Sequence, residues 1–145
     1  MVKETFPEAQ LKSYLADATA LAGVARKIIL KKISSGFHIR TKADDSYVTD
    51  ADTAVEKALQ QRIKKKHPAH GIIGEEFPAV NPGADFQWII DPIDGTRNFI
   101  HGFPHFAVSI AVKYKNKIEH GVIYDPCKQE LFTATRGKGA LLNDY

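Results

Sequence analysis

The sequence predicts an α+β fold, a layered α/β sandwich in which long helices pack on a mostly antiparallel sheet. The first half of the chain contains two long segments whose apolar residues recur at helical spacing. The second half contains short apolar runs separated by turn-forming residues, which is typical of antiparallel strands. The chain has 145 residues, 43% of them hydrophobic and 26% charged, so it is large enough for one domain with a buried core.

Two amphipathic helices are expected in the first half. The first has apolar side chains in alternating steps of four and three, at Leu11, Leu15, Ala18, Ala22, Ala25 and Ile29. It should end before Gly36, and the polar segment 34–45 should connect it to the second helix. That second helix should begin after Thr49 and stop before Pro68. Its apolar positions are Ala51, Val55, Ala58, Leu59 and Ile63.

Short apolar runs predict the strands of the sheet. They lie at 72–74, 87–90, 108–112, 122–124 and 131–134. Segments 115–117 and 125–128 separate the later runs and contain Lys, Asn, Asp and Pro, which favour hairpin turns. Because hairpins join antiparallel neighbours, we expect a mostly antiparallel sheet.

Acidic residues follow two of these strands. The motif Asp91-Pro92-Ile93-Asp94-Gly95-Thr96 comes after the strand at 87–90, and the pair Glu75-Glu76 comes after the strand at 72–74. The proline favours an extended backbone at Asp91, as at the end of a strand, so that the carboxyls of Asp91 and Asp94 can converge. Hard divalent cations prefer such oxygen ligands. The motif therefore predicts a metal site.

The turn after these carboxylates has the features of an anion site. Gly95 lacks the Cβ that would keep a ligand away from the backbone. Residues 96–100 predict a short helix, whose first amides would face the same point. A metal site and a phosphate-sized anion site would then share one turn.

Purely structural roles explain part of the same pattern. An Asp-Pro-x-Asp-Gly sequence is common in ordinary turns, where the aspartates accept hydrogen bonds from nearby amides. Thr49 and Asp52 have the spacing of a capping box, which would explain both residues without catalysis. We interpret Asp50 as a capping residue only. Asp52 can both cap the helix and take part in chemistry, so both roles stay open.

Several segments together resemble the inositol monophosphatase family of magnesium-dependent, lithium-sensitive phosphatases. The most specific are Gly74-Glu75-Glu76 and the segment 88–96 with Asn98-Phe99. Matching segments also lie at 48–52, 104–111, 124–126 and 137–140. The resemblance covers nearly the whole chain and corresponds to the amino-terminal portion of the family.

The resemblance implies a role for each residue of the acidic motif. Glu75, Asp91 and Asp94 match metal-binding carboxylates, and the carbonyl of Ile93 matches a further ligand. The implied cofactor is Mg2+. Its chemistry suits phosphate monoesters, because their hydrolysis needs a stronger nucleophile than water and neutralisation of charge.

Further residues match positions around the metal ions. Gly95 and Thr96 match the phosphate-binding amides of the family. Asp52 matches an aspartate that, together with Thr96 and Glu75, orients and deprotonates the attacking water. Lys42 resembles a lysine near the metal cluster in related members, and an exposed loop lysine is the alternative interpretation.

The residues around the motif do not select one substrate. Inositol phosphatases usually have a second threonine after Asp-Gly-Thr, whereas Arg97 follows Thr96 here, as in histidinol-phosphate phosphatases. In contrast, segment 104–143 resembles bacterial inositol-1-monophosphatases. Arg97 is either a substrate contact or a surface side chain. The expected reaction is hydrolysis of a small polyol or amino-alcohol phosphate, such as inositol 1-phosphate, or of histidinol phosphate.

The length of the chain leaves a second function open. Family members are longer, and their carboxyl-terminal domain supplies a further metal-binding aspartate in a Trp-Asp motif, whereas Trp88 is the single tryptophan here. We expect residues 1–145 to form a single amino-terminal metal- and phosphate-binding domain, with the carboxyl-terminal domain absent from this chain. Such a chain should bind its metals incompletely and turn over slowly or not at all. The alternative is a binding or regulatory domain.

The remaining composition predicts a cytoplasmic protein. Cys127 is the single cysteine and cannot form an internal disulfide, and no apolar run is long enough to span a membrane. The net charge of +3 includes a basic run at 62–66, which a solvated helix end explains better than a nucleic-acid site. The resemblance implies a homodimer that binds a small phosphorylated substrate.

Overall fold

The structure is a computed structural model of the chain, and it describes residues 7–144. The described part contains the helices α1 (Glu8–Ser35), α2 (Asp50–Lys66) and α3 (Thr96–Ile100). Its strands are β1 (Ile39–Thr41), β2 (Tyr47–Thr49), β3 (Gly71–Ile73), β4 (Phe86–Asp94), β5 (Ala107–Tyr114), β6 (Lys117–Asp125), β7 (Glu130–Thr135) and β8 (Gly139–Leu142). Within residues 7–144, no helix is long and apolar enough to cross a lipid bilayer.

The strands form one large sheet and one small hairpin. The large sheet has six strands in the order β3-β4-β5-β6-β7-β8, and β1 pairs with β2 separately. Only the β3–β4 pair of the large sheet is parallel, and the other four pairs are antiparallel. The prediction of an α+β fold with a mostly antiparallel sheet is therefore confirmed.

The core lies between the two long helices and one face of the sheet. Helix α1 packs against α2 and against β5 and β6, while α2 packs against β4. Fully buried apolar side chains come from both layers, among them Ile29, Leu59, Trp88, Ile110 and Val122. On β6, β7 and β8, by contrast, Ile123, Phe132, Leu141 and Leu142 are exposed. The core residues on α1 and α2 follow the spacing from which the helices were predicted.

Strand β4 differs from its prediction in a way that matters for the acidic motif. The sequence predicted that the strand stops before Asp91, but β4 continues through Asp94. The register shifts between the pairs Asp91–Ser109 and Asp94–Ala107, so Pro92 lies in an irregular stretch of the ladder. Proline is tolerated there because no regular ladder hydrogen bond is required from it.

Two further elements were not predicted from the sequence. The hairpin of β1 and β2 lies partly within the polar segment that we expected to be a loop, and β8 adds a last strand to the sheet. Strands β1 and β2 have only three residues each, and all residues of β8 are exposed. Such strands lack the alternation of buried and exposed residues that a sequence pattern can reveal.

The start of α2 confirms the predicted capping box and corrects the role of Asp50. The Thr49 side chain accepts hydrogen bonds from the amides of Ala51 and Asp52, and the Asp52 carboxyl accepts one from the Thr49 amide at 2.8 Å. Asp50 does not cap the helix. It accepts a hydrogen bond from the His38 amide at 3.0 Å, and one from Lys32 at 3.1 Å. Asp50 therefore connects α2 to the end of α1 and to the segment before β1.

A histidine contacts the single tryptophan at the edge of the core. Trp88 Nε1 donates a hydrogen bond to Nδ1 of His70 at 3.0 Å. Because an indole nitrogen can only donate, this nitrogen of His70 must be unprotonated. Burial and, to a smaller extent, the charge of the nearby His67 lower the pKa of His70 to about 4. The folded chain therefore favours neutral His70.

The contribution of His70 to stability should decrease below neutral pH for this reason. The unfolded chain protonates His70 near pH 6.5, so the stabilisation present above that pH is lost as the pH falls towards 4. His70 is partly exposed, and after allowance for solvent screening we expect a loss of about 1 kcal/mol. Urea unfolding of the unmodified chain and of His70→Asn at pH 7 and pH 5, monitored by Trp88 fluorescence, measures this loss as the difference between the two proteins, because other titrating groups contribute equally to both. His70→Asn keeps an acceptor but does not titrate, so an equal loss in that variant would refute the assignment.

Candidate active site

The register of the parallel strand pair brings two acidic residues side by side. Ile73 of β3 is paired with Ile89 of β4. Glu75 lies two residues after Ile73, and Asp91 lies two residues after Ile89. Because parallel neighbouring strands run in the same direction, their carboxyl ends lie at the same edge of the sheet. The side chains of Glu75 and Asp91 are in hydrogen-bonding contact. The two segments that the sequence singled out therefore meet in the fold.

Asp91 lies in a group of carboxyls formed with Glu75, Asp94 and Asp52, which we call the acidic cluster. Its pKa is strongly raised. Burial, its hydrogen bond with Glu75 and the charges of Glu75, Asp94 and Asp52 together raise its pKa to about 8, and burial is the largest of these causes. Its Oδ1 atom is buried and receives no hydrogen bond from an N–H or hydroxyl group of residues 7–144. Two carboxyls in contact need a shared proton or a cation between them. The environment of Asp91 therefore favours a bound positive charge.

Asp52 connects the start of α2 to the turn after β4. Its Oδ2 atom accepts hydrogen bonds from the amide and the hydroxyl of Thr49, at 2.8 and 2.6 Å. Its Oδ1 atom lies 3.3 Å from the hydroxyl of Thr96. Burial raises the pKa of Asp52, although the hydrogen bonds from Thr49 oppose this rise. Asp52 therefore caps the helix and also faces the acidic motif.

The turn after β4 is held by hydrogen bonds of Thr96 and by the backbone conformation of Gly95. The Thr96 hydroxyl donates to the carbonyl of Ile93 at 3.1 Å, so it shares its hydrogen between that carbonyl and Asp52. Gly95 has a φ of 94°, which L side chains rarely adopt, and a Cβ there would lie 3.2 Å from the carbonyl of His105. The turn therefore requires glycine at position 95.

Lys42 lies at the site, where it contacts both glutamates of the Gly-Glu-Glu segment. Its Nζ atom is 2.8 Å from Glu76 Oε2 and 3.9 Å from Glu75 Oε1. Burial opposes a charge on Lys42, but the hydrogen bond with Glu76 and the charges of both glutamates raise its pKa overall. Burial also raises the pKa of Glu76, and Lys42 only partly offsets this rise. Lys42 is thus a cation beside the acidic cluster.

Arg97 lies on the surface of α3, where its guanidinium is 5.7 Å from the ring centre of Tyr47. A cation and an aromatic face attract one another at this distance. The arrangement favours the interpretation of Arg97 as a surface side chain.

Glu56 is a residue of this region that the sequence did not single out. It is fully buried on α2, one turn after Asp52, and its carboxylate accepts hydrogen bonds from the amides of Glu75, Glu76 and Phe77. A signal for it was present, because Glu56 lies between the apolar positions Val55 and Leu59. A carboxylate on the buried side of a helix needs strong partners.

An open groove adjoins the acidic motif. It has a volume of about 460 Å³ and begins at Asp94 and Gly95. Asp125, Lys128 and Glu130 supply further charged groups to its lining. The groove is large enough for a small polar ligand next to the carboxylates.

The residues of the cluster suit a hard cation, although they do not form a complete cage. Among residues 7–144, no three acidic, histidine or cysteine side chains are arranged as a ready-made metal site. The contact between Asp91 and Glu75 keeps these two carboxyls together, and Asp94 is near enough for its charge to act on Asp91. Such carboxylate oxygens are the ligands that Mg2+ and Ca2+ prefer.

Comparison with known proteins identifies the family. A sequence profile of the inositol monophosphatase family matches residues 10–145. The chain belongs to the inositol monophosphatase family. This confirms the resemblance seen in the sequence.

Individual members of the inositol monophosphatase family show the same relationship. Nus factor SuhB of Pseudomonas aeruginosa is 52% identical over 108 residues, which are 72% of this chain and 40% of that protein. The crystal structure of the extragenic suppressor protein suhB from Bartonella henselae is 36% identical with a TM-score of 0.86, and the match covers 91% of this chain and 52% of that one. The chain therefore spans about half the length of the relatives that it matches, or less.

A more distant match comes from a structure that contains ligands. An IMPase/NADP phosphatase complexed with Mg2+ and phosphate is 25% identical with a TM-score of 0.84. The match covers 94% of this chain and 52% of that one. The described fold is thus that of one half of an inositol monophosphatase.

Proposed function

We propose that this chain is the amino-terminal, metal- and phosphate-binding domain of a magnesium-dependent phosphomonoesterase. The observation that supports this most is the contact between Asp91 and Glu75 beside Asp94, where a buried oxygen of Asp91 receives no hydrogen bond from an N–H or hydroxyl group. The like charges of such a cluster repel one another, and a bound cation would remove this repulsion. Carboxylate oxygens are also the ligands that hard divalent cations prefer. The matched IMPase/NADP phosphatase structure contains Mg2+ and phosphate, which agrees with the proposed cofactor.

The proposed metal ligands are the carboxylates of Glu75, Asp91 and Asp94 and the carbonyl of Ile93. When bound, Mg2+ would supply an activated water and neutralise the charge of the phosphate. These residues would hold their oxygen atoms on one side of the turn. Asp91 and Asp94 both belong to strand β4. Lys42 would add positive charge beside Glu75.

The attacking water would be oriented by Asp52, Thr96 and Glu75. The Thr96 hydroxyl lies 3.3 Å from Asp52 Oδ1, so Asp52 can accept the hydrogen of that hydroxyl. The hydroxyl oxygen of Thr96 is then free to accept a hydrogen bond from water, which Glu75 can help to deprotonate. The amides of Gly95 and Thr96 would hold phosphate oxygens, because the glycine allows close approach to the backbone.

The proposed substrate is a small polyol or amino-alcohol phosphate, with inositol 1-phosphate or histidinol phosphate as the two candidates. The groove beside Asp94 and Gly95 carries the opposite charges of Asp125 and Lys128, which suits a polar substrate. The guanidinium of Arg97 lies against the Tyr47 ring, so we propose that Arg97 does not contact the substrate. A homodimer, inhibition by lithium and a cytoplasmic location remain predictions.

Phosphate release tests this function. The chain would be assayed alone and fused to the carboxyl-terminal part of the Pseudomonas aeruginosa relative, with inositol 1-phosphate or histidinol phosphate. We expect the fused protein to release phosphate only with Mg2+, lithium to inhibit it, and the chain alone to be slow or inactive. The fused Asp94→Asn variant serves as the background control. The proposal fails if the folded fusion releases no phosphate above this background.

A binding or regulatory role is the second candidate function. It is favoured by the name Nus factor SuhB, which belongs to the relative from Pseudomonas aeruginosa. In that case the fold would be retained while phosphate release stayed at the level of the Asp94→Asn control. The same assay therefore separates the two candidates.

A further inference from the structure

The buried carboxylate of Glu56 lies at the centre of a compact network. Its Oε2 atom accepts hydrogen bonds from the amides of Glu75 and Glu76, at 3.1 and 2.7 Å. Its Oε1 atom accepts from the amide of Phe77 at 3.0 Å and from Gln60 Nε2 at 3.2 Å. All four partners are donors, so both oxygens act as acceptors. Three consecutive amides of one loop are therefore bound to one side chain.

The loop is built closely around this carboxylate. A Cβ on Gly74 would overlap the Glu56 carboxyl, so the residue before Glu75 must be glycine while Glu56 keeps its place. The Glu56 side chain is fully buried, whereas half of the Glu75 side chain is exposed. The backbone of Glu75 is thus held from the interior, while its carboxyl faces the acidic cluster.

Helix α2 connects this loop to the opposite side of the site. Asp52 lies one helical turn before Glu56, on the same face of the helix. Asp52 contacts Thr96 in the turn after β4, and Glu56 binds the loop after β3. Two buried acids on one rigid helix therefore determine the spacing between the loop of Glu75 and the turn of Asp94 and Thr96.

We propose that Glu56 is a positioning residue that orients Glu75 for metal binding through the amides of residues 75–77. This inference rests on the proposed role of Glu75 as a metal ligand. Groups that orient ligands from outside the metal sphere commonly change metal affinity or activity by about 10- to 100-fold when they are removed. Glu56 acts on the backbone of the ligand rather than on its carboxyl.

Titration with Mn2+, monitored by electron paramagnetic resonance, tests the inference without depending on catalysis. Mn2+ takes the same oxygen ligands as Mg2+. Glu56→Gln keeps the size of the side chain but places an NH2 group against at least one loop amide. We expect its Mn2+ affinity to be about tenfold weaker than that of the unmodified chain. The amide hydrogens of residues 75–77 should also exchange with solvent faster in Glu56→Gln than in the unmodified chain.

Leu59→Ala is the matched control for general loosening of α2. Leu59 is fully buried on the same helix, and its side chain makes no polar contact with the loop. We expect this variant to unfold more easily but to bind Mn2+ as the unmodified chain does, once only folded protein is counted. An equal loss of affinity in Leu59→Ala and Glu56→Gln would overturn the positioning role.

The remaining outcomes separate this inference from the proposed function. If the unmodified chain binds Mn2+ and folded Glu56→Gln binds it equally well, the positioning role falls and the proposed function stands. If the unmodified chain binds no Mn2+, both fall. Should Glu56→Gln not fold, Gln60→Ala decides, because it removes one donor to Glu56 and keeps the charge. Weaker Mn2+ binding by Gln60→Ala supports the role, and unchanged binding overturns it.

Discussion

Asp91→Asn is expected to weaken Mn2+ binding by more than about 100-fold, because a direct ligand should matter more than the outer partners of ligands. The same substitution should stabilise the metal-free chain. The pKa of Asp91 is raised to about 8 by burial and by the carboxyls of Glu75, Asp94 and Asp52, so the charged form of Asp91 is unfavourable in the fold. An asparagine removes that charge and can donate a hydrogen bond to Glu75. Stability and metal affinity should therefore change in opposite directions.

The stabilisation by Asp91→Asn should grow with pH. In the unfolded chain Asp91 titrates near 3.8, so the folded state holds its proton over the range between about 4 and 8. The stability that this proton contributes is fully present below pH 3.8 and is lost as the pH rises through 8. After allowance for partial solvent screening, we expect the advantage of the variant to increase by about 1–2 kcal/mol over this range. Urea unfolding of the metal-free proteins at pH 5 and pH 8 measures it.

Asp94→Asn is the matched comparison. Asp94 is exposed, so its replacement should weaken Mn2+ binding without a comparable gain in stability. The acidic-cluster interpretation would be wrong if Asp91→Asn bound Mn2+ like the unmodified chain. It would also be wrong if Mn2+ failed to stabilise the unmodified chain at pH 8.

Gly74→Ala is expected to lower the free energy of unfolding by about 2–4 kcal/mol, since it should break several hydrogen bonds to a charged group. The new Cβ would overlap the carboxyl of Glu56. Glu56 would have to leave the amides of Glu75, Glu76 and Phe77 to make room for it. The loop amides can regain water, which limits the loss. Unfolding in urea, monitored by Trp88 fluorescence, measures the change.

A double-mutant cycle identifies the source of this loss. Glu56→Ala removes the carboxyl that the new Cβ would overlap, so Gly74→Ala should cost much less in that background. Gly23→Ala is the control for a glycine with free space, because a Cβ there meets no atom within 4 Å. In helix α1 it should stabilise the chain by about 0.5–1 kcal/mol. An unchanged cost of Gly74→Ala in the Glu56→Ala background would show that the backbone, and not Glu56, requires glycine.

Local sequence signals were sufficient for most of the architecture. Apolar residues from Leu11 to Ile29 predicted α1, and Thr49 with Asp52 predicted the capped start of α2. The acidic motif was also visible, because Asp91 and Asp94 are three residues apart in one short segment. These features depend on helical periodicity, on a cap and on a turn, all of which involve residues close together in the chain.

Other features depend on contacts that a local pattern does not describe. The hairpin of β1 and β2 lies in a polar segment, and β4 passes through Pro92 only because its register shifts beside β5. Lys42 contacts Glu76 across 34 positions of the chain, and Glu56 reaches Glu75 across 19. The apolar neighbours of Glu56 marked its position as unusual, but not the loop that it binds.

The sequence by itself determined the two long helices, the strand-rich second half and the acidic residue types from which a metal site can be built. Only the tertiary structure decided which of those residues meet. The parallel register of β3 and β4 places Glu75 beside Asp91, and the buried face of α2 turns Asp52 and Glu56 towards two different loops. The physical reason is that spacing along the chain controls local hydrogen bonds and periodicity. The electrostatic environment of a carboxyl depends on burial and on charges that distant segments bring to it.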